Sequence, residues 1–310
     1  MPKIITVTGP ISPDEMGLTL PHEHIMVDFA GAGNTGKHKY EKREVIETML
    51  PYLLELKEYG ARTFVDCTPM HLARDVEILQ ELSELSGIYI LTNTGQYKEP
   101  HLPAETFALE PSDLALQWIS EFEKGIEDTG IKPGFIKTAV NPGPLLPIQR
   151  NIITAAAIAS LSTGLTIATH TGPAVAALEV LDILGQAGIS PHKWIYVHAQ
   201  AEANHDLLVE IARRGAWISL DNIGPGTEDT HLQPLMKLLD AGFGEQILLS
   251  HDAGWYNVGE TSGGIKRPYT YLIKSFIHIT EGAGIPKGII GNIMIDNPAK
   301  AFTVDDPICH

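Results

Sequence analysis

The chain has 310 residues, 44% of them apolar, which is enough to bury a sizeable globular core. Its formal net charge of −16 argues against nucleic acid or an anionic membrane surface as partner, because both select basic patches. No window approaches the ~18 uninterrupted apolar residues of a membrane span, and MPKIITVTGPI is not a secretory leader. Cys67 and Cys309 form neither a disulfide framework nor a CxxC knuckle, so a cytoplasmic protein is expected.

In chain order, the opening KIITVTGPISPDEMG reads as a small hairpin. Eight β-rich apolar runs follow: GLTLPHEHIMV (17–27), ARTFVDCT (61–68), GIYILTNT (87–94), GFIKTAV (134–140), GLTIATH (164–170), KWIYVHA (193–199), AWISLDN (216–222) and QILLSHD (246–252). Amphipathic helical stretches separate them, REVIETMLPYLLELKEYG and AEANHDLLVEIARRGA among them, and several end at a glycine (Gly60, Gly87, Gly164, Gly215). From Pro268 onward the chain reads as two helices ending near NPAKAF. Alternating strands and helices specify a parallel sheet, and eight such units close into a barrel. An open doubly wound sheet is the alternative, yet no GxGxxG follows any run. The expected fold is α/β, a (β/α)8 TIM barrel with an N-terminal hairpin and C-terminal helices, one domain over 1–310.

Barrels of this kind carry their chemistry at the C-terminal strand ends. There the first run has His22 and His24, two residues apart and so on one face of a strand, with Glu23 on the other. His170 ends the fifth run, His198 lies in the sixth and Asp252 ends the eighth. Singly, each has a bland reading as a hydrogen-bonded strand end or a cap. Together, four histidines and a carboxylate at one mouth make a metal-ligand set. Lys137, inside GFIKTAV, either snorkels to the rim or meets a heavy desolvation cost. A neutral amine there can add carbon dioxide and become a carbamate able to bridge two metals.

With these residues in place, the sequence resembles the phosphotriesterase family of the amidohydrolase superfamily, including its phosphotriesterase-like lactonases. The resemblance runs through MGLTLPHEHI, the lysine of GFIKTAV, the histidines of IATHTG and IYVHA, the aspartate of LLSHD and the terminal NPAKAF. It implies two divalent metals, zinc most often, with manganese or cobalt as substitutes. His22, His24 and Asp252 would hold one, and His170 and His198 the other, with carboxylated Lys137 and a hydroxide between them. Asp252 would accept the proton from the attacking hydroxide. The implied reaction is hydrolysis of a lactone or carboxylic ester, including a phosphorylated or carboxylated lactone. Phosphotriester hydrolysis comes second, and a non-catalytic metal- or ligand-binding barrel is the reading of another class. The family's homodimers set the expectation for assembly.

The chain also departs from the family pattern. Relatives carry an acidic residue three positions after the sixth-run histidine, where this chain has Ala201, followed by Glu202. Where relatives have His or Arg after the seventh strand, it has Asn222. Glu202 and His251 are candidates to replace the missing proton relay, although the spacing singles out neither. Among the loops, Tyr97, Asn222 and Trp255 are the candidate substrate contacts. Lys98, His101, Lys266 and Arg267 offer cations to an anionic substrate, and Gly259, Gly263 and Gly264 allow the eighth loop to move as a lid.

Overall fold

The computed structural model describes residues 2–304; Cys309 lies outside the described residues, and Cys67 is buried and free. Strands β1 (Ile4–Thr6) and β2 (Gly9–Ile11) pair antiparallel as the expected hairpin. The eight runs then form β3 (Thr19–Val27), β4 (Thr63–Asp66), the interrupted third strand β5 (Tyr89–Leu91) and β6 (Asn93–Thr94), then β7 (Phe135–Ala139), β8 (Ile167–His170), β9 (Trp194–Val197), β10 (Trp217–Leu220) and β11 (Ile247–Leu249). Helices follow them in turn: α1 (Lys42–Glu58), α2 (Val76–Ser86), α3 (Pro111–Lys124), α4 (Pro147–Thr163), α5 (Ala174–Gln186), α6 (His205–Arg213) and α7 (Glu228–Asp240). After the eighth strand come α8 (Ile277–Gly282) and α9 (Lys287–Phe302). No helix among the described residues is long and apolar enough to cross a membrane.

Neighbouring barrel strands pair in parallel from β3 to β5 and from β6 to β11. The single residue Thr92 joins β5 to β6, and the segment after β11 closes the circle onto β3. There the His22 amide donates to Ser250 Oγ (3.0 Å), the Asp252 amide to the His22 carbonyl (3.0 Å) and the His24 amide to the Ala253 carbonyl (3.0 Å). The molecule is a (β/α)8 barrel. A short strand that the sequence did not announce, β12 (Gly254–Asn257), also runs parallel to β3 and pins the start of the eighth loop.

Strand alternation divides the core in two. Phe64, Ile136, Ile167, Tyr196 and Ile218 face the helices, whereas Val65, Phe135, Ala168, Ile195, Trp217 and Leu248 fill the barrel. Ile4, Met16 and Phe302 seal its lower end, with the Phe302 ring 5.5 Å from that of Phe135. Two residues above an inward side chain the next inward side chain appears. Phe135 therefore leads to Lys137, Ala168 to His170, and Leu248 to Ser250 and Asp252. The polar set stands on an apolar plug.

Candidate metal centre

His22, His24, Lys137, His170, His198 and Asp252 come together around one cavity of about 240 Å³, walled further by Val27, Phe29, Leu72, Tyr97 and Trp255. His22 and His24 share a face of β3 with ring centroids 5.5 Å apart, and the His198 ring lies 5.1 Å from His22 and 4.5 Å from His170. His198 is the exception to the alternation, since it follows the inward Val197. Its left-handed backbone (φ 62°) turns the chain so that the imidazole still reaches the mouth. Asp252 (φ 50°) and Trp255 (φ 69°) are left-handed as well. Such conformations cost a non-glycine residue about 1–3 kcal/mol each and persist where the surroundings fix them. At Gly254 only glycine fits, because a Cβ would lie 2.1 Å from the His24 carbonyl oxygen.

Hydrogen bonding fixes which nitrogen of His24 is free. The Thr68 hydroxyl donates its one proton to the Met26 carbonyl (2.9 Å) and so accepts from His24 Nδ1 (2.7 Å). The lone pair of Nε2 then faces Asp252 Oδ1 at 3.0 Å. Two lone pairs so placed require a cation or an added proton between them. His22 Nε2 lies 3.8 Å from the same oxygen and 3.4 Å from Lys137 Nζ, and His22, His24 and Asp252 can converge on one ion. Burial alone would raise the Asp252 pKa, but with the added proton on His24 Nε2 the hydrogen bond from His24, and then the charge of His22, hold its carboxyl well below the usual carboxylate range. Burial, with His198 as neighbour, depresses His170 well below an ordinary histidine. Burial with His22 beside it brings His198 down to about 4. Both imidazoles are neutral at physiological pH, the form that binds metal. The donor set, nitrogen and carboxylate oxygen in a buried cluster, fits a divalent ion.

Lys137 is 1% exposed, and no carboxylate is within ion-pair distance of its Nζ among the described residues. It does not snorkel to the rim. Its Nζ is in the cavity lining, 3.4 Å from His22 Nε2.

Asp221 is a site residue that the sequence reading missed. Its Oδ2 sits 3.2 Å from His22 Nδ1 and 3.6 Å from His198 Nδ1, and accepts the His198 amide at 3.0 Å. Although it is buried, the neighbouring His22 and His198 keep it ionised. The signal was the alternation Trp217–Ser219–Asp221, which places Asp221 on the inward face. The neighbouring Asn222, a candidate substrate contact by sequence, has a left-handed backbone (φ 66°), is exposed and does not line the cavity. Tyr97 and Trp255 do line it. The Tyr97 hydroxyl is 2.9 Å from His170 Nδ1, and the buried Trp255 indole N–H has no partner.

Neither substitute for the proton relay is available. Glu202 accepts the amides of Ala174 (2.8 Å) and Asn204 (2.7 Å), away from the cavity. His251 is buried, with Nδ1 on Glu23 and Nε2 accepting the Leu272 amide (2.8 Å). The loop cations also lie off the cavity wall: Lys98 caps the Val140 carbonyl, Lys266 binds loop carbonyls, and Arg267 binds those of His251 and Asp252. His101 is buried between Phe29 and Tyr97, behind the cavity lining. Of the loop-eight glycines, Gly263 packs so closely on the Tyr256 ring that a Cβ would lie 2.3 Å from it.

Comparison with known proteins agrees with this geometry. The phosphotriesterase family matches residues 2–302. A phosphotriesterase homology protein of Escherichia coli is 26% identical over 93% of this chain and 99% of its own length. An aryldialkylphosphatase of Saccharolobus solfataricus is 27% identical, covering 94% and 97%, and an N-acetyltaurine hydrolase of Danio rerio 24%, covering 97% and 98%. A barrel whose mouth gathers these ligands, matched from end to end in this way, belongs to the phosphotriesterase family.

Proposed function

We propose that this hydrolase cleaves a small, uncharged lactone or carboxylic ester at a centre of two divalent ions. The observation that carries the metal reading is the 3.0 Å approach of two acceptors, His24 Nε2 and Asp252 Oδ1. In this assignment His22, His24 and Asp252 would hold one ion and His170 and His198 the other. Lys137, as the neutral amine, would add carbon dioxide with release of a proton, and its carbamate would then offer these ions a carboxylate. Zinc, manganese and cobalt all suit such a donor set. Ions bound there supply hydroxide near neutral pH and draw electron density from the carbonyl under attack.

The chain's own groups do the rest. Asp252, kept ionised, takes the proton that the nucleophile gives up. Thr68 holds His24 in the tautomer that leaves Nε2 free, and Asp221 orients His22 and His198. The Tyr97 hydroxyl can meet a substrate oxygen, while Val27, Leu72, Phe29 and Trp255 keep the acyl body dry.

Acyl chemistry is favoured by the cavity, whose volume of about 240 Å³ falls below the roughly 300–1,000 Å³ of typical ligand pockets. A planar carbonyl enters with two substituents, whereas a phosphotriester needs space for three. Apart from Lys137, no lysine or arginine among the described residues lines the wall, which favours a neutral substrate over a phosphorylated one. The name of the Saccharolobus relative supports phosphotriesters as the second reading, and that of the fish relative adds amides to the compounds worth testing.

The test is a panel of small lactones, aryl esters, amides and phosphotriesters, assayed with zinc, manganese or cobalt. Turnover of a lactone or ester, lost about a hundredfold or more in Asp252→Ala, is expected. Turnover confined to phosphotriesters would replace the acyl reading. Metal binding without any turnover would favour the ligand-binding barrel.

A further inference from the structure

A second cavity, of about 330 Å³, lies on the other side of the eighth strand's end. Its wall includes His251, whereas the next residue, Asp252, lines the metal site. Apolar surface comes from Ile223, Pro225 and Pro268, and the size is within the range of small-molecule pockets. Two of its polar groups are already engaged, Lys274 with Glu55 and Tyr271 with Glu228.

Arg267 differs from them. It is half-buried in this wall and pairs with no carboxylate among the described residues. Its Nη1 donates to the Asp252 carbonyl (3.0 Å) and its Nη2 to that of His251 (3.2 Å). Its backbone exchanges two further hydrogen bonds with Gly254. A guanidinium has five N–H donors, so the fork retains capacity for a planar anion.

We propose that this cavity binds a small monocarboxylate with an apolar body, recognised by Arg267, and that its occupancy is felt at Asp252. A single charge is specified because, among the described residues, Arg267 is the one cation of the wall without a carboxylate partner, and Glu55 and Glu228 stand nearby to repel a second negative charge. Coupling follows from the shared guanidinium: an anion drawing on it changes its hold on the 251–252 carbonyls. Those carbonyls belong to a left-handed turn (Asp252, φ 50°), where a small rotation re-aims the carboxylate. The site is independent of the substrate chosen in the preceding section.

Phenylacetate is the probe, titrated by calorimetry into the metal-loaded protein, with phenylacetamide as the uncharged control. Two variants separate this cavity from the metal centre: Ser275→Phe fills it while retaining the Arg267 charge, and Arg267→Gln removes the charge but keeps an amide donor. The expected result is saturable binding of phenylacetate that weakens about tenfold or more in each variant and with the amide, at unchanged metal content. Undiminished binding in Ser275→Phe would place the carboxylate at the metal centre and overturn the proposal, as would no binding to the parent protein. With any substrate the enzyme turns over, phenylacetate should lower kcat. Purely competitive inhibition would overturn the coupling to Asp252.

Discussion

Glu23 Oε1 lies 2.7 Å from Nδ1 of His251, joining the centre of the His–Glu–His motif to the residue before Asp252. The same carboxylate accepts from Ser250 Oγ (2.8 Å) and from the amides of His251 (2.9 Å) and Ala253 (2.8 Å). It therefore clamps the segment that presents Asp252. Glu23→Gln would turn one acceptor oxygen into a donor among donors, and an unsatisfied buried group costs about 1–3 kcal/mol. A lowered thermal midpoint together with reduced turnover is expected. A variant with parental stability would show that the clamp is dispensable.

Lys137→Ala should bind fewer metal ions per chain, measured by elemental mass spectrometry on protein prepared with bicarbonate. A short carboxylic acid added with metal should restore part of the activity, because it supplies the missing anionic bridge. In native mass spectrometry the parent protein should carry the added mass of one carbon dioxide that Lys137→Ala lacks. Full metal content and full turnover in Lys137→Ala would remove the carbamate from the site.

Glu202→Gln should leave turnover unchanged. One carboxylate oxygen accepts the Ala174 amide at the start of α5 and the other the amide of Asn204, which caps α6, and Gln keeps one of these two acceptors. A steep loss of kcat with a shifted pH profile would return Glu202 to the proton relay.

Much of this was legible in the sequence because it is periodic or local. Eight apolar runs became eight strands, and the spacing of His22 and His24 put both on one face. Contacts between distant segments were not legible. The partners of Glu23 lie more than 220 positions away, and β12 exists only because closure brings residues 254–257 beside β3. Asn222 drew attention by its place after the seventh strand, yet its left-handed backbone turns it outward. Asp221, one residue earlier, is in register with the inward Trp217 and Ser219. Following the alternation one step further would have found it.

The metal-free protein should lose stability as pH falls from about 6.5 towards 4. An unfolded histidine takes up a proton near 6.5, whereas folded His198 does so only near 4, and burial also depresses His170. At these two histidines the unfolded chain binds more protons across that window, so acid favours it; burial raises Asp66 to about 6, and its uptake of a proton in the fold offsets part of this loss. His198 alone accounts for about 1–2 kcal/mol by about pH 5. His198→Asn should therefore show a flatter dependence of unfolding midpoint on pH in this range. Equal slopes for parent and variant would mean that His198 is protonated in the fold.

Asp221→Asn tests whether the missed carboxylate orients the ligands. Its Oδ2 stands against Nδ1 of both His22 and His198, and Ser219 Oγ donates to Oδ1 at 2.8 Å, fixing the carboxylate's own direction. Replacing such an outer partner of metal-bound histidines typically costs about 10–100-fold in metal affinity or activity. Asn is nearly isosteric and can still accept the His198 amide, so the fold should survive while the anchoring charge disappears. The expected outcome is a weaker metal complex in competition with a chelator, with circular dichroism unchanged. Higher metal concentration should restore part of the turnover. Loss of turnover at full metal occupancy would instead make Asp221 a participant in proton transfer, since metal binding would then be intact and only the chemical step impaired. Parental affinity and parental turnover together would reduce its contact with the two imidazoles to packing.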